Sequence, residues 1–178
     1  TNGISEVSLD SVTVGKVDLT YQAASITPTT AARGEAKSFT VTIQNGGTDA
    51  VTLGASANLS FTDGTSTYTA YVNTPYPMIP ANGSTAVVFG STNPDGAGGA
   101  TIPGGLAAGT YTPKVYLAGT AGGGGFYIES LKTSSGAGLD TITVSPLALV
   151  AGSLSPDTLE TGATLVPVLA VSNFGADA

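Results

Sequence analysis

Residues 38–47 read SFTVTIQNGG, and this stretch decides the fold class. Apolar and polar side chains alternate from Phe39 to Gln44, which is the pattern of a strand with one buried and one exposed face. The strand is followed by Asn45-Gly46-Gly47, residue types that tolerate the positive φ angles of a tight turn. The stretch therefore predicts a half-buried antiparallel β-strand that ends in a turn.

The same alternation recurs along the chain, separated by turn signals such as Asp63-Gly64 and Asn82-Gly83. No window shows an apolar stripe of helical period with capping residues. Seven or eight short strands with turns between them predict an all-β protein, an antiparallel β-sandwich. Besides the strand at Phe39, the predicted strands cover residues 17–22, 51–61, 68–72, 85–89, 109–117, 126–131 and 140–144.

Composition and charge limit the possible partners. The chain has 178 residues, of which 41% are hydrophobic and only 10% are charged. Its net charge of −7 argues against binding to a nucleic acid or to an anionic membrane surface. The sequence contains no run of about 18 apolar residues, so no membrane insertion is predicted. Abundant Gly, Thr and Ser are typical of secreted β-proteins, and the lack of cysteine is compatible with that setting. We expect an extracellular or cell-surface protein.

Two parts of the sequence repeat one another. Residues 9–14 read LDSVTV and residues 139–144 read LDTITV. With an offset of 128, residues 26–50 match residues 154–178 at seven of 25 positions, including Asn45 with Asn173. We interpret this as a repeat of about 130 residues. The predicted organisation is a last strand of a preceding repeat or an N-terminal extension (1–14), one complete sandwich (15–144), and the first two strands of a following repeat (145–178).

Three stretches resemble a known family. They are KVDLTYQAASITPTTAARGEAKSFTVTIQNGGTDAV (16–51), IPANGSTAVVF (79–89) and LAAGTYTPKVYLAG (106–119). Together they resemble the bacterial and archaeal Ig-like surface repeat domains of the cell-adhesion-related type, over about residues 15–144. The resemblance implies an Ig-like sandwich in a surface or secreted array, where each module is a spacer, a stalk segment or an adhesive unit. The Gly-rich insertion at 92–105 departs from the usual form.

Catalysis is not expected from this composition. The chain has no His and no Cys, which removes the commonest general base and the thiol nucleophile. The acidic residues are scattered singly, so we predict no enzyme activity and no cofactor, with Ca²⁺ as the one ion considered. Ca²⁺ takes about six to eight oxygen ligands. Asp63, Asn93 and Asp95 are the candidate ligands, and their ordinary role as turn residues is the favoured interpretation.

Tyrosines and two sequons are the other candidate surface groups. Tyr68, Tyr71 and Tyr76 lie in STYTAYVNTPYP (66–77) and could stack on sugar rings. Tyr68 and Tyr71 are three residues apart and point to opposite faces of a strand, so at most one belongs to the core. Asn58 and Asn82 each begin a glycosylation sequon, and Asn82 is predicted to be the more accessible because it lies in a turn.

The last part of the chain, GATLVPVLAVSNFG (162–175), is apolar on both faces. A two-stranded hairpin is marginally stable in water, so this segment needs a partner. In a longer chain the missing strands follow covalently; in a polymer a neighbouring subunit supplies them by strand addition. The candidate assembly residues are Leu165, Val166, Val168, Leu169 and Val171.

These features predict a non-catalytic structural or adhesive module of an extracellular repeat protein or surface filament. Its partners are neighbouring copies of the same domain or subunit. One alternative is a pilus-like filament subunit that polymerises by donor-strand exchange. A second alternative, of a different class, is a carbohydrate-binding module that uses the three tyrosines.

Overall fold

The computed structural model describes residues 17–94, 98–149, 168 and 171–173. Within these residues the chain forms fourteen β-strands and no α-helix, which confirms the predicted all-β fold. The strands are β1 (Leu19–Tyr21), β2 (Thr30–Ala32), β3 (Phe39–Asn45), β4 (Val51–Leu53), β5 (Asn58–Thr62), β6 (Thr67–Val72), β7 (Met78–Ile79), β8 (Gly83–Ser91), β9 (Gly109–Tyr111), β10 (Lys114–Ala121), β11 (Gly124–Ile128), β12 (Ile142–Ser145), β13 (Leu147–Leu149) and β14 (Val171–Asn173).

Most of these strands belong to one antiparallel sheet. Its neighbours follow the order β1-β3-β8-β6-β5-β10-β4-β7, with β11 paired to β10. Strand β10 links two parts of this sheet, because Lys114–Tyr116 pairs with β5 whereas Gly119–Ala121 pairs with β4. A second sheet has the order β2-β12-β9, and β13 pairs with β14 alone among the described strands. The sheets form a sandwich-like arrangement around one core.

Two predicted strands are each divided in the structure. The predicted strand 51–61 is β4 and β5, because Gly54 donates its N–H to the Ala118 carbonyl (2.7 Å) and the chain then turns. The predicted strand 109–117 is β9 and β10, separated at Pro113, which has no N–H to give to a ladder. Strands β2 and β7 were not predicted, since two or three residues are too few to show an alternating pattern.

The core forms around β3, as the opening pattern predicts. Phe39, Val41 and Ile43 are fully buried, and β3 pairs with β8 over seven residues, from Phe39 opposite Phe89 to Asn45 opposite Gly83. Burial of one such side chain stabilises the fold by about 1.5 to 3 kcal/mol. Strand β3 is therefore both a central strand of the large sheet and a main contributor to the core.

An aromatic cluster fills the core next to Phe39. The Phe39 ring meets the Tyr68 ring edge-on at 5.6 Å between centroids, and Tyr68 stacks on Phe61 at 4.9 Å. The Tyr68 hydroxyl donates to the Lys37 carbonyl (2.6 Å), and burial raises the pKa of this phenol. Such ring pairs add about 0.5 to 1.5 kcal/mol each beyond the area that they bury.

The turn after β3 is fixed by a buried side chain. Asn45 is 1% exposed, its amide donates to the Asp49 carbonyl (2.8 Å) and the Pro80 carbonyl (3.3 Å), and its oxygen accepts from the Gly47 N–H (2.9 Å). A buried amide without hydrogen-bond partners destabilises the folded state. Loss of any of these three bonds is therefore unfavourable, and together they hold the turn in one geometry. Asn45 is therefore a structural residue and more than a turn former.

Candidate functional site

The first and last chain segments of the sandwich lie side by side. Tyr21 donates its N–H to the Lys132 carbonyl (2.7 Å) and pairs in parallel with Thr133. Farther along, β12 pairs in parallel with β2, and Arg33 donates its N–H to the Ser145 carbonyl (3.0 Å). We call residues 21–33 together with 132–145 the terminal pair. Because its two segments run in the same direction, the chain enters the sandwich at one pole and leaves it at the other.

Buried side chains support the terminal pair. Tyr21 is 2% exposed, and its hydroxyl donates to the Asp140 carboxylate across the two segments. Desolvation, together with the hydrogen bond to Asp140, raises the pKa of the Tyr21 hydroxyl. Ile142 and Val144 of β12 are fully or almost fully buried. The last strand is therefore anchored in the core as well as on β2.

The pairing of β13 with β14 repeats the pairing of β1 with β3. In the first pair, Leu19 lies opposite Asn45, Thr20 opposite Gln44 and Tyr21 opposite Ile43. In the second pair, the opposed residues are Leu147 with Asn173, Ala148 with Ser172, and Leu149 with Val171. Adding 128 to each residue number of the first pair gives the second pair. The offset found in the sequence is thus also the offset of the strand register.

A single residue separates the sandwich from strand β13. Strand β12 ends at Ser145 and β13 begins at Leu147, so Pro146 alone joins them. Proline fixes its own φ angle and restricts the residue before it. The connection is short and conformationally restricted.

The predicted assembly residues fall largely outside the described part of the chain. Leu165, Val166 and Leu169 lie outside the described residues. Val168 is 63% exposed, and Val171 is the first residue of β14. Their role in assembly stays a prediction.

Asp63 acts in the structure as a cap for a turn. One carboxylate oxygen accepts from the Thr65 N–H (2.8 Å) and the Ser66 N–H (2.7 Å), and the other accepts from the Ala107 N–H (2.7 Å). These backbone N–H groups lower the pKa of Asp63 to about 2. The carboxylate thus closes the β5–β6 hairpin and holds the loop before β9, and both oxygens are already engaged.

The other two candidate Ca²⁺ ligands lie in the loop after β8. Asn93 is in a local turn, in which its carbonyl accepts from the Ser91 hydroxyl (2.9 Å) and its N–H donates back to that hydroxyl (3.1 Å). Asp95 lies outside the described residues. No group of three or more acidic, His or Cys side chains suited to a metal occurs in the described ranges. Ca²⁺ binding stays a prediction.

The three candidate tyrosines have different environments. Tyr68 belongs to the core at 1% exposure, so it cannot stack on a ligand, and this corrects its assignment to a binding surface. Tyr76 donates its hydroxyl to the Pro94 carbonyl (2.8 Å) and holds that loop. Tyr71 remains partly exposed on the outer face of β6, opposite to Tyr68 as predicted.

Strand pairing places a further tyrosine beside Tyr71. In the sheet register Tyr71 lies opposite Asn58, and Asn58 lies opposite Tyr116 on its other side. All three side chains are partly exposed on the outer face, where two rings flank one amide. Sequence analysis missed Tyr116, because only the order of strands β6, β5 and β10 brings it to this row.

The two sequons differ in accessibility, as predicted. Asn82 is exposed in the turn before β8, with a positive φ of 49°. Asn58 is partly buried in β5, and its amide donates to the Ser56 carbonyl (2.9 Å). Beside Asn82 is an open groove of about 510 Å³, whose lining includes Asp18, Thr20, Gln44, Asn45, Asn82, Ser84 and Ser134.

Comparisons with known proteins do not assign the chain to a family. No family model and no curated protein matches the sequence. In the described ranges, no helix is long and apolar enough to cross a membrane. The Ig-like resemblance therefore stays an expectation from the quoted stretches.

Asp63→Asn is predicted to destabilise the protein in a pH-dependent way. The folded pKa of about 2 lies below the ordinary value of 3.8, so the stabilisation by the carboxylate is present above pH 4 and is lost as the pH falls through 2. Urea unfolding of both proteins should show a less stable variant at pH 7 and a gap that narrows towards pH 2. Glu129→Gln, on the exposed loop after β11, controls for the loss of one negative charge. A gap that is constant from pH 7 to pH 2 would contradict the capping role.

Proposed function

We propose that this chain is a non-catalytic structural or adhesive module of an extracellular repeat protein, in which copies of one Ig-like sandwich follow each other end to end. The observation that carries the proposal is the shared register of β1–β3 and β13–β14 at an offset of 128. A sequence match alone can come from similar composition. A match that also preserves which residues face each other supports a second copy that begins at residue 147.

The character of the matched side chains agrees with this proposal. Leu19 and Tyr21 of β1 and Val41 and Ile43 of β3 are buried in the first sandwich. A module that begins at residue 147 needs apolar residues at the counterparts of all four positions. The sequence has Leu147, Leu149, Leu169 and Val171 there.

The route of the chain through the sandwich also suits an array. The parallel terminal pair places the incoming segment near Tyr21 and the outgoing strand end at Ser145 at opposite poles. A following module attached through Pro146 then continues away from the first one. Entry and exit at the same pole would instead fold successive modules back on one another.

Donor-strand exchange between separate subunits has less support. Residues 1–14 and 145–178 contain sequence counterparts of β12 and of β1 to β3. They contain no counterpart of β8, the strand that covers β3 over seven residues. In the proposed array, the polypeptide that follows supplies this neighbour for the β3 counterpart.

The proposal predicts that residues 145–178 can start a complete module. Ala50 and Ala178 are equivalent positions, so residues 51–145 of this chain can be appended directly after Ala178. We expect the appended residues to fold with residues 147–178 and to resist proteolysis, as we also expect of residues 17–145. Limited proteolysis with mass spectrometry measures this directly.

The matched control for the fusion is Leu169→Asp. Its counterpart Val41 is fully buried, and an unpaired charge at such a position prevents folding. Cleavage of the appended residues should then be rapid in the control and slow in the unmodified fusion. Equally rapid cleavage in both would show that residues 147–178 do not begin a copy of the module.

Carbohydrate binding is a second candidate function, favoured by the row of Tyr71, Asn58 and Tyr116. Two rings in a row on one face can stack on successive sugar units, and an amide between them can bond to hydroxyls. Strands are about 4.8 Å apart, so the two tyrosine backbones lie about 10 Å apart.

Tyr71→Ala and Tyr116→Ala should each abolish retention on a polysaccharide array if this surface binds glycans. Tyr127→Ala is the matched control, because Tyr127 is 71% exposed but lies on β11, outside the row. Thermal melts verify that each variant remains folded. A wild-type chain that is retained by no glycan on a broad array removes this candidate.

A further inference from the structure

We propose that the terminal pair is a shear clamp that makes the module resist tension along the array; this inference rests on the proposed end-to-end function. The clamp consists of residues 21–33 and 132–145, the first and last segments of the sandwich. Its physical basis is the direction of the hydrogen bonds between these segments relative to the direction of the pulling force.

Contacts join the two segments at both ends of the terminal pair. At the first pole, the Tyr21 N–H donates to the Lys132 carbonyl (2.7 Å). Towards the second pole, Thr143 donates its N–H to the Thr29 carbonyl (2.8 Å), and β12 then pairs with β2 as far as Ser145 opposite Ala32. The Arg33 N–H to the Ser145 carbonyl (3.0 Å) is the last of these bonds.

Tension on an array loads these bonds in a particular way. The preceding module pulls the first segment out of the pole near Tyr21, and the following module pulls β12 out of the pole at Ser145. The segments are parallel, so the two forces act in opposite directions along the strand axes. All bonds between the segments are then stretched together and must break nearly together, which raises the barrier to forced unfolding.

Two further features oppose sliding of the last strand. Strand β12 is the middle strand of its sheet, with β9 paired along its other edge. Sliding therefore breaks bonds on two edges at once. The hydroxyl of Tyr21 also bonds to the Asp140 carboxylate across the two segments, in a partly buried setting.

The test compares two pulling directions on the same protein. Since the full chain has no cysteine, one introduced cysteine gives a unique handle, and a C-terminal tag gives the second handle. Asp18→Cys places the handle at the first pole, before Tyr21, so that force shears the whole clamp. Ala36→Cys places it just beyond β2 at the second pole, so that force unzips β12 from β2. Both residues are exposed.

Single-molecule force spectroscopy at one loading rate should give an unfolding force about two to three times higher for Asp18→Cys than for Ala36→Cys, because simultaneous rupture raises the unfolding barrier. Both proteins carry the same residues after Ser145, so separation of β13 from β14 contributes equally to both unfolding forces. Equal forces in the two directions would overturn the clamp. Proteolysis of the fusion described above tests whether residues 147–178 begin a second module, and the force ratio tests the clamp. A failure of one proposal can therefore be distinguished from a failure of the other.

A pair of hydroxyl deletions tests the side-chain contribution. Tyr21→Phe removes the bond to Asp140, and Tyr76→Phe removes a tyrosine hydroxyl bond to the Pro94 carbonyl, away from β12 and both of its neighbours. In the shear direction we expect Tyr21→Phe to lower the unfolding force and Tyr76→Phe to leave it unchanged. An equal reduction by both variants would show that the Tyr21 hydroxyl acts only through general stability and would remove it from the clamp.

Discussion

The parallel pairing of β12 with β2 is the constraint on which the rest of the account depends. It closes the sandwich by placing the last strand beside one of the first, with Ile142 and Val144 in the core. It also sets the route of the chain, because parallel first and last segments require opposite poles for entry and exit. With antiparallel pairing the same strands could form a domain, but that domain would neither continue an array in line nor carry tension in shear.

The sequence predicted the parts of the fold that depend on local pattern. The alternation from Phe39 to Gln44 identified β3 and its buried face, and most other strands had the same signal. Strand β2 and the division at Gly54 could not be predicted, because β2 has three residues and the turn depends on a bond to Ala118, far along the chain. Asn45 looked like a turn former, and only burial and three partners reveal its structural role.

The same holds for the candidate sites: features set by local sequence could be predicted, and contacts between residues far apart in the chain could not. The proposed repeat rests in part on sequence, since turn residues such as Asn45 and Asn173 recur at a fixed offset, whereas the strand register that supports it is seen only in the structure. Spacing alone placed Tyr68 and Tyr71 on opposite faces. It could not place Tyr116 in one row with Tyr71, because that row depends on the order of three strands. Asp63 is a turn residue, as its sequence context indicates, and its bond to the distant Ala107 N–H was not predictable.

The central claim is that the chain begins a second copy of the module with the register of the first. The most direct measurement is a set of interstrand backbone NOEs in the full chain, because facing residues of antiparallel strands are close enough to give them. The account predicts NOEs between Ala148 and Ser172 that match those between Thr20 and Gln44. NOEs that pair Ala148 with a residue one or more positions away from Ser172, or no NOEs between these strands, would contradict it.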